Sequence, residues 1–251
     1  MNYTISDIAK SLGAEFVGDG SFNINSVSEP IDADVNSLAL AMNEKYLSDI
    51  KRGSARVAIV LRGSDWKKLN LEAVIIIDRP RHTISNITKL FDDCSSFCEG
   101  IHPTSFIDDT AEIGKGVSIG AFSFLGAHVK LGDGSRLGSH TVLSEGSNIG
   151  NNAIIGSGVI IEHNVLIGNN FRSQAGSVIG SDGFSFVTKD ASDVEVVRQK
   201  LGKRGAVSKQ PWLRIHSLGS VELGNDVEIG SNVSIDRGTI RNTIVGDRSK
   251  L

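Results

Sequence analysis

Asn43, Lys45 and Tyr46 place an amide, an ammonium group and a phenol ring in one short stretch. A hydrogen-bonding amide, a phosphate-pairing cation and a stacking ring together suit a nucleotide. The same residues could equally be a plain strand-to-helix turn. His163, between Glu162 and Asn164, offers an imidazole, the side chain suited to taking a proton near neutral pH. Its competing reading is a surface or cleft-lining residue. Phe184 and Phe186 could line an apolar groove or plug the end of a structural turn. His102, His128, His140 and His216 are read as solvated positions. No pair of these histidines has a compact metal-ligand spacing, and no metal is expected.

A six-residue period must position these groups. From Ile101 to Ile179 every sixth residue is Ile or Leu, with Ser173 the exception, and the next residue is commonly glycine, as in Gly114, Gly120, Gly132 and Gly156. Neither a helix nor a simple alternating strand has this period; a β-solenoid of hexapeptide repeats does. Three hexads would make a triangular turn of about 18 residues, rising about 4.8 Å. The residue two before each period position is small or β-branched, with Phe171 the exception. Both columns should therefore face the interior. The glycines suit corners that need positive φ or close backbone approach.

The period stops after Ile179 and resumes at Leu223. Residues 181–217 form a loop excursion in which Lys189, Arg198, Lys200, Lys203, Arg204, Lys209 and Arg214 outnumber four acidic residues. Such a loop could steer an acidic protein toward the coil, or simply be solvated. Residues 1–99, without the period, read as a small α/β domain, and 100–251 as the coil, incomplete at its C-terminus. In the first domain Ser6 is the expected cap of a helix over Asp7–Leu12 that Gly13 ends. Val57–Leu61 and Val74–Ile77 read as buried strands, and the spacing of Ile84, Ile87, Leu90 and Phe91 as a helix between Arg81 and Phe97. Cys94 and Cys98, placed on that helix, read as buried thiols rather than a disulfide framework.

Bulk properties narrow the function further. A formal charge of −3 gives no sign of nucleic-acid binding. No run of eighteen apolar residues could span a membrane, and the first residues lack a secretory pattern, so a cytoplasmic location is expected.

Four local stretches carry a resemblance. They are Leu40-Ala41-Met42-Asn43-Glu44-Lys45-Tyr46, Ile101-His102-Pro103-Thr104, Gly180-Ser181-Asp182-Gly183-Phe184-Ser185-Phe186, and Ile235-Asp236-Arg237-Gly238. In content and order the chain resembles the UDP-3-O-acylglucosamine N-acyltransferases, hexapeptide-repeat enzymes of lipid A biosynthesis. The resemblance implies a left-handed parallel β-helix and a homotrimer with active sites between neighbouring coils. It implies transfer of a 3-hydroxyacyl group from acyl carrier protein to the 2-amino group of UDP-3-O-(3-hydroxyacyl)-glucosamine, without cofactor. Asn43, Lys45 and Tyr46 would bind the uridine nucleotide, and Asp182, Phe184, Phe186, Asp236 and Arg237 would be further substrate-binding positions.

Two departures matter. Leu40 stands where the resemblance calls for an aromatic residue, which would weaken one side of a uracil sandwich. The family's aspartate and general-base histidine would fall just beyond Leu251, so no catalytic residue is expected in this chain, and residues 1–251 alone should be inactive. His163 precedes Asp236, whereas the family's histidine follows that motif. The alternatives are another hexapeptide-repeat sugar-nucleotide acetyltransferase using acetyl-coenzyme A, a hexapeptide carbonic anhydrase, or a non-catalytic trimeric scaffold. Residues 1–99 lack the phosphate-binding loop of a nucleotidyltransferase-linked coil.

Overall fold

A computed structural model describes residues 2–92, 97, 99–199 and 209–251. Cys94, Cys98, Lys200, Lys203 and Arg204 lie outside the described residues. The chain divides into two compact units, Met1–Cys94 and Ser95–Leu251.

The first unit is built on a five-stranded sheet in the order Glu15–Gly18, Ala73–Ile77, Val57–Leu61, Ser37–Ala41, Ser26–Ser28. The first pair is antiparallel and the others are parallel. Parallel strands are covered on both faces, which is why Val57–Val60 is apolar at every position. Val57 and Ile59 join one core with Ile5, Ile8 and Ile87, while Ala58 and Val60 join a second with Ile50. Strand alternation thus divides four consecutive residues between two cores. Three helices supply the covers: α1 (Ile5–Leu12), α2 (Glu44–Ile50) and α3 (Pro80–Phe91).

The cap of α1 is Thr4, not Ser6. Thr4 Oγ1 accepts the Asp7 amide at 3.1 Å, and the Asp7 carboxylate accepts the Thr4 amide at 3.3 Å. This reciprocal capping box needs an acidic side chain three residues after the cap, and Asp7 stands in that relation to Thr4. The Thr4 hydroxyl and amide both hold the Asp7 carboxyl below its ordinary range. The contribution is therefore present above the unfolded-state pKa and is lost as acid titrates the folded group. Gly13 closes the helix at φ 61, as expected. Helix α3 begins with Pro80 at its first position, where the missing N–H costs nothing.

The second unit is a parallel β-helix with three faces. One face stacks the short strands starting at Ser118, Arg136, Ile154, Arg172 and Glu228. Another stacks those at Phe106, Phe124, Val142, Ile160, Val178 and Ser234, and the third those at Glu112, Lys130, Asn148, Leu166, Val221 and Thr243. Pairings such as Ser118 with Arg136 and Phe124 with Val142 set three hexads to the turn. Both expected columns are inside: Leu125, Leu137, Leu143 and Ile155 are fully buried, as are Val129, Ser135, Thr141 and Val159. Several buried hydroxyls in the small column donate to corner carbonyls, Ser123 to Gly138 O at 3.1 Å and Ser177 to Gly230 O at 2.7 Å, while the Ser147 hydroxyl is buried without a partner.

The corners divide the glycines' two expected duties between two positions. Directly after the aliphatic residue, glycine serves close approach: a Cβ on Gly132 or Gly138 would lie 2.6 Å from the amide nitrogen of Asn151 or Ser157 on the next turn. Two residues later the backbone is left-handed, and Gly134, Gly146 and Gly158 share that conformation with Asn152, Asn164, Phe122, His128 and His140. The last two histidines are exposed corner residues. Between these positions runs a ladder of side-chain oxygens. Lys115 N donates to Asp133 Oδ1, Asp133 N to Asn151 Oδ1, Asn151 N to Asn169 Oδ1, Asn169 N to Asn225 Oδ1 and Asn225 N to Asp247 Oδ1, all at 2.7–2.9 Å.

Residues 181–217, expected as a loop, contain a helix at Asp193–Gln199 and an antiparallel pair, Phe186–Val187 with Leu213–Arg214. The coil resumes as if uninterrupted, Leu166 pairing with Glu222.

At Phe171-Arg172-Ser173 the two interior columns are inverted: the large side chain is Phe171, fully buried, and the aliphatic slot holds Ser173. Large and small residues exchange places within one hexad and conserve its volume. Ser173→Ile alone should overpack the turn by about 1–3 kcal/mol. Phe171→Val alone should cost roughly 2–4 kcal/mol as a cavity. The double variant should recover most of both losses, so strictly additive values in denaturant unfolding would refute volume exchange.

Candidate functional site

In the first unit the chain leaves the sheet at Ala41 and enters α2 at Glu44. Ligands on parallel sheets gather at such carboxyl ends of strands, where helix N-termini begin. Asn43 is the cap of α2, with extended backbone, and its Oδ1 accepts the Lys45 amide at 3.2 Å. The plain turn role is therefore real, and the side-chain nitrogen is the part of Asn43 left for a ligand. Tyr46 is half-buried and borders a cleft of about 320 Å³, together with Glu29, Pro30, Leu40, Met42, Asn43, Pro80 and Ile84. That volume is at the small end of the ~300–1,000 Å³ usual for ligand sites. Leu40, which the family resemblance would make aromatic, lines the same cleft as Tyr46. Lys45 Nζ stands 4.5 Å from the Tyr46 ring centre, a cation–π contact.

In the second unit a group of aromatic side chains stands on the hairpin that interrupts the coil. Phe184 and Phe186 meet edge to face at 5.1 Å. With Trp212 they line a groove of about 500 Å³. Arg214 lies 5.3 Å from the Phe186 ring centre and pairs with Asp182 at 3.5 Å. Trp212 was not foreseen as a site residue. Its one signal is the alternation in Trp212-Leu213-Arg214, in which Leu213 and Arg214 pair with Val187 and Phe186 across the hairpin.

The Asp-Arg-Gly stretch lies at the hairpin's base. Asp236 accepts the Ser181 hydroxyl at 2.6 Å. Arg237 is buried, with its guanidinium against Gly180 O and His163. A guanidinium has only donors, so His163 Nε2 must accept from it. The ring nitrogen that a base would use is thus engaged within the protein. Among the described residues no cluster of three or more His, Cys, Asp or Glu side chains could hold a metal ion.

With this geometry the chain can be set beside known proteins. A model of the GMPPB C-terminal domain matches residues 101–187, the first part of the coil and the start of the excursion. The UDP-3-O-acylglucosamine N-acyltransferase of Ruegeria pomeroyi is 51% identical over 251 residues, covering 100% of this chain and 69% of that protein. The chain belongs to that family. The Paracoccus denitrificans member is 47% identical over 251 residues, covering 100% of this chain and 68% of its own length. The Neisseria meningitidis serogroup B member is 39% identical, covering 99% of this chain and 66% of its own. This member of the family therefore spans about two thirds of its relatives' length. In the UDP-3-O-acylglucosamine N-acyltransferase fold described here, the sequence-predicted residues form two groups. Asn43 and Tyr46 line the first unit's cleft, with Lys45 outside the lining but against the Tyr46 ring; Asp182, Phe184, Phe186, Asp236 and Arg237 gather around the coil's hairpin and its base.

Proposed function

We propose that this chain binds a uridine sugar nucleotide through Asn43, Lys45 and Tyr46 and takes part in N-acylation of UDP-3-O-(3-hydroxyacyl)-glucosamine. The acyl donor in this reading is a 3-hydroxyacyl thioester on acyl carrier protein. Identity of 51% across the whole chain to a UDP-3-O-acylglucosamine N-acyltransferase carries the proposal. The amine nitrogen attacks the thioester carbonyl, the new C–N bond forms, the C–S bond breaks and the carrier leaves as its thiol. The amine must lose a proton on the way, and an imidazole is the side chain suited to take it near neutral pH. No cofactor enters this chemistry.

The nucleotide part rests on the cleft. Tyr46 would stack on the base, Asn43 would donate from its side-chain nitrogen, and Lys45 would meet the diphosphate at the rim. The acidic carrier would be steered by the basic excess around the hairpin, to which Lys189, Arg198, Lys209 and Arg214 belong.

The homotrimer is supported by one face of the coil. Its outward row reads Phe106, Phe124, Val142, Ile160 and Val178, apolar through five turns, with the first two rings stacked at 5.2 Å. The corresponding rows on the other faces include Arg136, Arg172 and Glu228, or Glu112, Lys130 and Glu222. A long apolar row on a coil marks a surface to be covered, and in this reading neighbouring coils cover it. No helix among the described residues is long and apolar enough to cross a membrane; we place the reaction in the cytoplasm, where carrier and nucleotide meet.

Two measurements test the reading. In calorimetric titration with UDP-glucosamine, Tyr46→Ala should weaken binding about tenfold, the loss of one stacking contact. Asn43→Ser retains a good helix cap, so weaker binding with unchanged melting would assign the amide to the ligand. Unchanged affinity in both variants would remove the cleft from the proposal. In sedimentation, Ile160→Glu should convert trimer to monomer, and a monomeric parent chain would discard the trimer.

A further inference from the structure

The proposed nucleotide cleft leaves the Asp236-Arg237-Gly238 segment without a task, and its contacts suggest one. The excursion departs at Ser181 and the coil resumes near Gly219. At the departing foot, Arg237 N donates to Ser181 O at 2.8 Å, and Asp236 takes the Ser181 hydroxyl at 2.6 Å. At the returning foot, Gly219 N donates to Gly238 O at 3.0 Å and Leu218 N to Thr239 O at 2.8 Å. One short segment therefore holds both feet. Gly238 and Gly219 each pack so closely against Arg241 O that neither has room for a Cβ.

Arg237 is 6% exposed, and a buried guanidinium persists only where its donors are met. Its Nε donates to Gly180 O at 2.6 Å, its Nη2 to His163 O at 3.1 Å, and its Nη1 to the His163 ring. Gly180 is the residue just before the excursion, at φ 92, while His163 belongs to the preceding turn of the same face. The planar fork thus ties the exit point to the rigid coil beneath it, a geometry that a single ammonium cannot reproduce. Above this anchor the hairpin is held by Gly183 N on Ser217 Oγ and Ile215 N on Ser185 O, both at 3.0 Å. It carries Phe184, 90% exposed, and Trp212, 62% exposed.

We propose that Arg237 is a positioning residue, which acts through Gly180 and His163 to hold the Phe184–Phe186–Trp212 groove in a fixed place on the coil. His163 is then the seat for that guanidinium. The acyl-transfer reading bears on this only in giving the groove a use, and the experiment below contains no substrate, so either idea can fail without the other.

Hydrogen exchange read by mass spectrometry on residues 1–251 provides the test. Arg237→Ala should accelerate exchange in 181–187 and 213–219 by about tenfold or more, as expected when a local unit loses its anchor. Exchange across 118–161 should stay at the parent rate. Arg237→Lys should restore part of the protection, and His163→Ala, which spares both carbonyl contacts, should cause a smaller loss than Arg237→Ala. In a Trp66→Phe background Trp212 is the single tryptophan, and its fluorescence anisotropy should fall in the same order. Unchanged hairpin exchange in these variants would overturn the proposal. So would an equal loss of protection along the whole coil, which would mark Arg237 as an ordinary core residue. If Arg237→Ala does not fold, Arg237→Lys and His163→Ala decide by the same criteria.

Discussion

Every turn of the coil must satisfy its backbone against the turns before and after it, and this parallel ladder sets what the other residues can be. The Gly120 amide reaches Leu137 O and the Gly138 amide reaches Ile155 O, each at 2.8 Å. At Gly120 and Gly138 the turn that follows leaves no room for a Cβ, whereas Ser144 and Glu162 make the same bond at 2.8 Å with side chains in place. At most corners one left-handed residue turns the chain toward the next face, and it is glycine, asparagine or, at Phe122, His128, His140, Asp226 and Arg248, another side chain at some conformational cost. The interior then has fixed dimensions, and the Phe171–Ser173 exchange is one way to fill it.

Chemistry-bearing residues collect where regular pairing stops. In the first unit the strand ending at Ala41 hands over to α2, and the cleft opens at that transition. In the second, the coil departs at Gly180 and returns at Gly219 on feet held by a single segment. A long insertion leaves the ladder intact because loop closure costs little once the feet are fixed. The aromatic groups can therefore stand on a projecting hairpin while the coil below keeps its register.

The coil was legible because its period is imposed at each turn by the same interior. Ser173 reads as a flaw in the sequence and makes sense only beside Phe171, since the two columns share one volume. The α1 boundary was misplaced by two residues because Thr4 and Ser6 are both good caps, and the acidic partner at Asp7 chooses between them. Asn43, Lys45 and Tyr46 were visible as types, but the division of labour in Asn43, with the oxygen on the helix and the nitrogen available, needs coordinates. Trp212 was missed because its partners lie across the hairpin, beyond the reach of local spacing. Arg237 looked like a ligand contact; its burial depends on a turn of the coil far away in sequence.

The ladder of aspartate and asparagine oxygens has a direction. Each rung runs from a backbone amide to a side-chain oxygen on the following turn, from Lys115 to Asp133 and onward to Asp247. A turn is therefore finished only by its C-terminal neighbour. A solenoid with such nearest-neighbour coupling can grow from one end, and the end that is ready first is the one the ribosome delivers first. Each newly made turn would settle onto a template already in place and in turn leave its own amides waiting for the next.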